Sequence, residues 1–340
     1  MTVNFQKAIQ KLEATFIRYP ASEDVEGSLD HLFSYGMLHE KRNAKCLVLV
    51  GPSGSGKTSC LKRFAGKYPD RQEELRDVHP VLFVDVPSTC TVKNLAEEIL
   101  IQLSDPPTSM GTLGHYTARV HHQMRMQGVQ MLILDECQHL VQGNATAKQV
   151  ANWVKHLLNE RVATVVLSGT PEMLAVLEAS KELKRRCLGI VTLNPLDWNN
   201  PFDFKMFHTF LANYEKQLPF PAPSCLTAPA MALRFYSYSK GVIGVVVQVI
   251  IKATIIALHR GKERLDDEVL LEASDSLLVP SERPANPFRC ADLSPPLNLT
   301  PELGDGRQTR LRRGRRTPNP TDVIDGKVDV SEVLAPTSVA

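Results

Sequence analysis

Four short segments hold the residue types that can do chemistry together. Gly51, Pro52, Ser53, Gly54, Ser55, Gly56, Lys57 and Thr58 fit G-x-x-x-x-G-K-[ST], and Ser59 follows. Glycines let backbone N–H groups turn inward around an anion without a Cβ clash, and a helix start adds a favourable dipole. Lys57 is placed to reach the β- and γ-phosphates of a nucleotide, and the Thr58 hydroxyl to ligate Mg²⁺. The apolar run Met131–Leu134 leads into two carboxylates, Asp135 and Glu136. Asp135 is expected to hold Mg²⁺, usually through water. Glu136 is expected to polarise an attacking water, a group that hydrolysis needs beside its nucleophile. The run Thr164–Leu167 ends in Ser168, Gly169, Thr170 and Pro171. Ser168 or Thr170 can hydrogen-bond the water or the γ-phosphate, and either can instead cap the helix that Pro171 and Glu172 begin. Lys184, Arg185 and Arg186 read as a solvated helix end or as an arginine finger reaching a nucleotide on a neighbouring subunit. Together these parts predict ATP + H₂O going to ADP + phosphate.

Such residues work only if strands and helices deliver them. Cys46–Val50, Val81–Val86, Met131–Leu134 and Thr164–Leu167 are short Val/Ile/Leu-rich runs without polar alternation, the pattern of strands buried on both faces of a parallel sheet. Amphipathic segments separate them: one leaves the phosphate loop over residues 57–68, others span 92–103 and 147–159. A βαβ series follows. The expected organisation is a helical start over residues 1–44, an α/β nucleotide-binding domain over 45–198 and a helical lid over 199–279. The lid helices are expected at 204–214, 228–239, 242–259 and 266–278. The apolar stretch 242–258 is interrupted by Gln248 and Lys252 and reads as a buried helix, with no membrane partner expected.

Residues 280–340 are expected to be a disordered tail. The 60 residues after Pro280 hold eight of the 23 prolines and one aromatic, Phe288. Six arginines fall between Arg307 and Arg316, either a solvated run or a tether for nucleic acid or an acidic partner. The chain has 340 residues, 43% hydrophobic and 22% charged, and a net charge of +2, so any basic surface must be local. Seven scattered cysteines without a C-x-x-C pair argue for reduced thiols and a cytoplasmic location.

Phosphate loop, Asp-Glu strand, polar strand end, arginine and helical lid resemble the AAA+ P-loop ATPases. Val165–Met173, Leu183–Cys187 and Leu193–Trp198, with Asp135–His139 and Phe16–Pro20, narrow the resemblance to the TniB/TnsC family of bacterial transposition ATPases. It covers about residues 12–260. The resemblance implies a homo-oligomer, a ring or helical filament, on double-stranded DNA. It implies partners of two kinds, a TniQ-type target selector and a transposase of TnsA/TnsB or TniA type, with hydrolysis controlling assembly. It also implies a DNA grip between the phosphate loop and the Asp-Glu strand, for which Lys93, Arg119, His121, His122 and Arg125 are candidates. Solvated helix faces are the other reading of those five. Two departures stand out: Cys187 replaces a frequent Phe, and Lys240–Val245 lacks a sensor arginine. Helicase loaders, secretion-type AAA+ ATPases and a nucleotide-gated scaffold with little hydrolysis remain alternatives.

Overall fold

The computed structural model describes residues 2–38, 44–73, 76–105, 111–142 and 146–290. The arginine run 307–316 lies outside them. Helices α1 (Thr2–Glu13) and α2 (Pro20–Leu38) precede β1 (Cys46–Val50), and α3 (Lys57–Ala65) follows the phosphate loop. An antiparallel pair comes next, β2 (Arg71–Glu73) with β3 (Arg76–Val78). Then come β4 (Val81–Asp85), α4 (Val92–Gln102), α5 (Leu113–Met126), β5 (Met131–Asp135), α6 (Gln138–Gln142), α7 (Ala147–Asn159) and β6 (Thr164–Gly169). Helices α8 (Leu174–Glu178) and α9 (Lys181–Arg186) lead into β7 (Cys187–Thr192). Five strands form a parallel sheet in the order β4-β5-β6-β1-β7.

Alternation along each strand feeds two separate cores. Cys46, Val48 and Val50 of β1 face one core with α4, α5 and α7. Leu47 and Leu49 face the other, with Leu29 and Phe33 of α2 and Leu61 and Phe64 of α3. Both faces are covered, which is why the strand runs carry no polar alternation. Helix boundaries follow local chemistry. Thr91 and Asn94 form a capping box on α4, as Thr146 and Gln149 do on α7.

The sheet has one strand more than the apolar runs predict. β7 is an edge strand, with Leu188 47% and Ile190 48% exposed. Half of its side chains are uncovered, so it lacks the continuous apolar signature of its neighbours.

Beyond the sheet, α10 (Pro201–Glu215), α11 (Pro229–Ser239), α12 (Ile243–His259) and α13 (Asp267–Leu277) enclose a third core. The 242–258 stretch is α12, whose Val246, Val249, Ile250 and Ala253 are buried in that core. No single helix among the described residues is long and apolar enough to cross a membrane. The first 44 residues divide between cores. Leu12 of α1 joins the helical one, where the Tyr214 hydroxyl donates to its carbonyl at 3.2 Å, while α2 packs on the sheet.

The expectation of a disordered tail from residue 280 is corrected for its first ten residues. Two short turns, Arg283–Ala285 and Pro287–Arg289, pack on the helical unit. Phe288 is 6% exposed and meets Phe235 edge-on at 5.1 Å, and the Asn286 amide donates to Ser274 Oγ at 2.8 Å. A composition averaged over 60 residues hides one anchoring aromatic. Replacing it is expected to leave a cavity: Phe288→Ala should cost about 3–5 kcal/mol in urea unfolding.

Candidate functional site

The site lies at the C-terminal ends of β1, β5 and β6, where open parallel sheets bind ligands. The loop after β1 is held open by backbone geometry. Gly54 and Gly56 sit at φ +79° and +96°, which L side chains rarely adopt. A Cβ on Gly51 would lie 2.5 Å from the Leu193 carbonyl. Lys57 at the start of α3 is 4% exposed, and its ammonium donates to the Gly51 and Pro52 carbonyls at 2.8 and 3.0 Å. Burial pushes its pKa down, against the opposing pull of Glu136 and Asp135. Ser53 and Ser59 are exposed on the rim.

Asp135 closes β5 and is fully buried. Its Oδ2 accepts from the Thr58 hydroxyl at 2.6 Å, and its Oδ1 from the Glu136 N–H at 3.0 Å. Glu136 adopts a left-handed backbone at φ +57°, a strained state of the kind that gathers at functional sites. Its Oε2 accepts from the Gln138 amide, whose carbonyl in turn accepts from Thr170 N–H at 3.1 Å. Ser168 is buried at the end of β6.

This donor set fits a magnesium nucleotide. Ser55 Oγ and Ser168 Oγ are buried without a hydrogen-bond partner among the described residues, an expensive arrangement unless a ligand completes it. Thr58 and Asp135 offer the hard oxygens that Mg²⁺ takes alongside phosphates and water. Among the described residues, no three His, Cys, Asp or Glu cluster to hold a metal by themselves. All seven cysteines are free.

Arg185 and Arg186 end α9. Cys187 pairs with Cys46 at the start of β1, and Thr192 with Val50 at its end. Arg186 therefore stands at the N-terminal end of the neighbouring strand, whereas the chain's own phosphate loop follows the C-terminal end of β1. It donates to Glu182 at 3.3 Å, beside the exposed Leu188 and Ile190.

The five candidate DNA residues do not form one surface of free cations. Lys93, His121 and Arg125 line a groove of about 850 Å³ between α4, α5 and α7, away from the phosphate loop. Arg125 pairs with Glu160 at 3.0 Å, and Arg119 with Asp105 at 2.5 Å. Lys93 lies over the Tyr116 ring, and His122 is exposed. His121 is buried against His156, and burial lowers its pKa to about 4, so it is neutral near pH 7 and offers phosphate no charge.

Three contacts with the site were not anticipated. The Gln138 amide is one. The Tyr19 hydroxyl donates to the Ser55 carbonyl at 3.2 Å. At the start of α12, Gly244 N–H donates to the Gly54 carbonyl at 2.9 Å, and a Cβ on Gly244 would lie 2.3 Å from that oxygen. A signal was present for the last: the glycines at 241 and 244 mark close approaches of backbone, Gly241 to Leu196 and Gly244 to the phosphate loop.

Residues 8–193 match a family model described as Bacterial TniB protein. No curated protein matches the chain in sequence. Among solved structures, Cdc6p from Pyrobaculum aerophilum is 14% identical, with TM-score 0.56 over 77% of this chain and 68% of that one. The Aeropyrum pernix ORC2 protein in its ADP form is 13% identical, with TM-score 0.58 over 78% and 72%. The Aeropyrum pernix ORC1 protein in complex with DNA is 17% identical, with TM-score 0.56 over 76% and 66%. The chain spans about two thirds of each of these relatives.

Two outcomes follow from the geometry. Gly244→Ala should drive the helical unit off the loop and weaken ATP binding about tenfold in calorimetric titration, within the 1–3 kcal/mol of an overpacked contact. His121 holds fewer protons folded than unfolded between pH 6.5 and about 4, so stability should fall as pH drops through that window, and His121→Phe should flatten this limb in pH-dependent urea unfolding.

Proposed function

The chain belongs to the bacterial TniB family and has the AAA+ ATPase fold, and on that premise we propose that it is a DNA-bound ATPase regulating transposition. The observation that carries this reading is the joined pair of half-sites: Thr58 of the phosphate loop donating to Asp135 beside Glu136. ATP is the substrate. Mg²⁺, when bound, screens the phosphate oxygens and the charge that develops as the γ-phosphoryl group leaves.

The chain's own residues divide the remaining work. The loop from Gly51 to Thr58, with Ser59 at the rim, wraps the phosphates through the backbone N–H groups that follow Pro52. Lys57 exchanges two carbonyl partners for phosphate oxygens, recovering charge–charge attraction inside a buried site. Thr58 and Asp135 would hold the metal. Glu136 orients the attacking water and takes its proton, and the Ser168 or Thr170 hydroxyl steadies the water or the γ-phosphate from the adjacent strand end.

Arg186, with Arg185 beside it, acts in trans. Its position at the end of the strands away from its own phosphate loop supports action on the nucleotide of a second copy. The exposed Leu188 and Ile190 give that contact an apolar face. A homo-oligomer, ring or filament, is then the active form, and double-stranded DNA its track. Lys93 and Arg125 are the cations best able to meet the DNA backbone, because exposed ion pairs such as Arg125–Glu160 exchange at little cost. The Aeropyrum pernix ORC1 protein, which shares the fold, is in complex with DNA, and this supports a DNA partner here. A TniQ-type selector and a transposase of TnsA/TnsB or TniA type are the protein partners, and turnover resets the assembly.

Mixed variants test the assignment. Glu136→Gln should keep ATP binding and assembly on duplex DNA but lose at least about 10²-fold in turnover. Arg186→Ala should be similarly slow. Mixed together, the two should regain activity, because an Arg186→Ala subunit keeps an intact Glu136 and a Glu136→Gln neighbour supplies the arginine. Full turnover by Glu136→Gln would remove Glu136 from its role, and a mixture as slow as its parts would return Arg186 to the surface.

A further inference from the structure

We propose that Gln138 is a positioning residue for hydrolysis: its side-chain amide ties the Glu136 carboxylate to the backbone of Thr170 and sets which carboxylate oxygen is offered to water. This rests on the reading of Glu136 given above.

Gln138 is 7% exposed, so its amide must find partners inside the protein. Both ends do. The NH₂ group donates to Glu136 Oε2, and the carbonyl accepts from Thr170 N–H at 3.1 Å. The two partners differ in kind, a carboxylate and an N–H donor. Turning the amide over would set oxygen against carboxylate and NH₂ against N–H, so a single orientation satisfies both. Glu136 Oε2 is thereby engaged, and Oε1 is the oxygen left to accept a proton from water.

The surroundings are built around this amide. Gly169 has no need of glycine for its backbone, since its φ is not among the positive ones. It needs the space: a Cβ there would lie 2.5 Å from Gln138 Oε1 and 3.3 Å from Gln138 N. The turn itself is pinned from both sides. Cys137 N–H donates to the Ser168 carbonyl at 2.8 Å, and His139 Nδ1 lies 2.9 Å from the Val86 carbonyl. The strained φ of Glu136 is held within that frame, and Gln138 governs what the backbone leaves free, the carboxylate.

The same bond runs on to the phosphate loop. Thr170 follows Gly169, whose carbonyl accepts from Gly51 N–H at 3.2 Å. Gln138 thus joins three strand ends: β5 through Glu136, β6 through Thr170, and β1 through the Gly169–Gly51 bond. A displacement of the loop reaches the carboxylate through this chain.

Steady-state kinetics of full-length variants test the idea. Gln138→Ala should lower kcat about 10–10²-fold while KM for ATP stays within about threefold, the mark of misplacing a group rather than losing a binding contact. Gly169→Ala keeps Gln138 but fills the seat of its oxygen, and should reproduce that loss. The double variant should be no slower than Gln138→Ala, because both changes break one connection. Gln138→Glu separates donation from packing: it fills the same space and can still accept from Thr170 N–H, but an ionised carboxylate cannot donate to Glu136, so kcat should fall as far as in Gln138→Ala while KM for ATP stays within about threefold.

A purely structural Gln138 would give losses of kcat that follow losses of thermal stability, with Gln138→Glu keeping full kcat because it fills the same space, and such a result overturns the proposal. The control is Glu136→Gln. If it retains turnover, the assignment of Glu136 fails and this proposal with it. If it is inactive while Gln138→Ala, Gly169→Ala and Gln138→Glu keep full kcat, only the role of Gln138 fails.

Discussion

A carboxylate fully removed from water is the constraint around which the site is arranged. Asp135 is buried at the end of a central strand, and an unpaired charge there would be costly. It is kept by two donors from different places, the Thr58 hydroxyl at the start of α3 and the N–H of the next residue. The first bond crosses β6, the strand lying between β5 and β1, and so locks helix, loop and sheet into one register. The second requires the chain to turn sharply after Asp135, which it does by placing Glu136 in the left-handed region. Lys57 faces the complementary problem. Its buried ammonium is satisfied by two carbonyls of the loop it terminates. Both charges are therefore partnered by groups that a magnesium nucleotide can replace without rebuilding the sheet.

The parts of this arrangement differ in how plainly the amino-acid order announces them. Strands buried on both faces write themselves as unbroken apolar runs, so β1, β4, β5 and β6 are readable directly. β7 is not, because an edge strand with Leu188 and Ile190 exposed shares its pattern with loops. The helical unit is readable because α12 is apolar over several turns, yet its final anchor, Phe288, sits in a proline-rich stretch whose average composition argues for disorder. The first 44 residues read as one helical segment, although α1 and α2 serve different cores, since periodicity reports that a face is buried and not against what.

For the site, spacing within a segment is legible and contact between segments is not. The phosphate loop, Asp135 and Glu136 follow from local patterns with stated chemical needs. Gln138, Tyr19 and Gly244 do not, since each acts on a residue that chain order alone leaves unplaced. The DNA candidates show the converse limit. A basic residue type between two motifs says nothing of its partners, and Arg119 pairs with Asp105 while His121 is buried and neutral. Charge counts only where it is available to an incoming phosphate.

The helical unit meets the nucleotide loop through backbone. No arginine stands in the segment from Lys240 to Val245. Instead the Gly241 carbonyl lies against the connecting segment, accepting from Leu196 N–H at 3.0 Å, and Gly244 N–H donates to the Gly54 carbonyl. Both glycines are demanded by proximity, since a Cβ on either would collide with main-chain atoms. A long cationic side chain senses charge across several ångströms and tolerates small shifts. A backbone contact between two glycines tolerates almost none, because packed main chains have discrete arrangements and no flexible group to take up the change. A contact of this kind is steric: it depends on the shape of the loop at Gly54 and not on a charge carried by the helical unit.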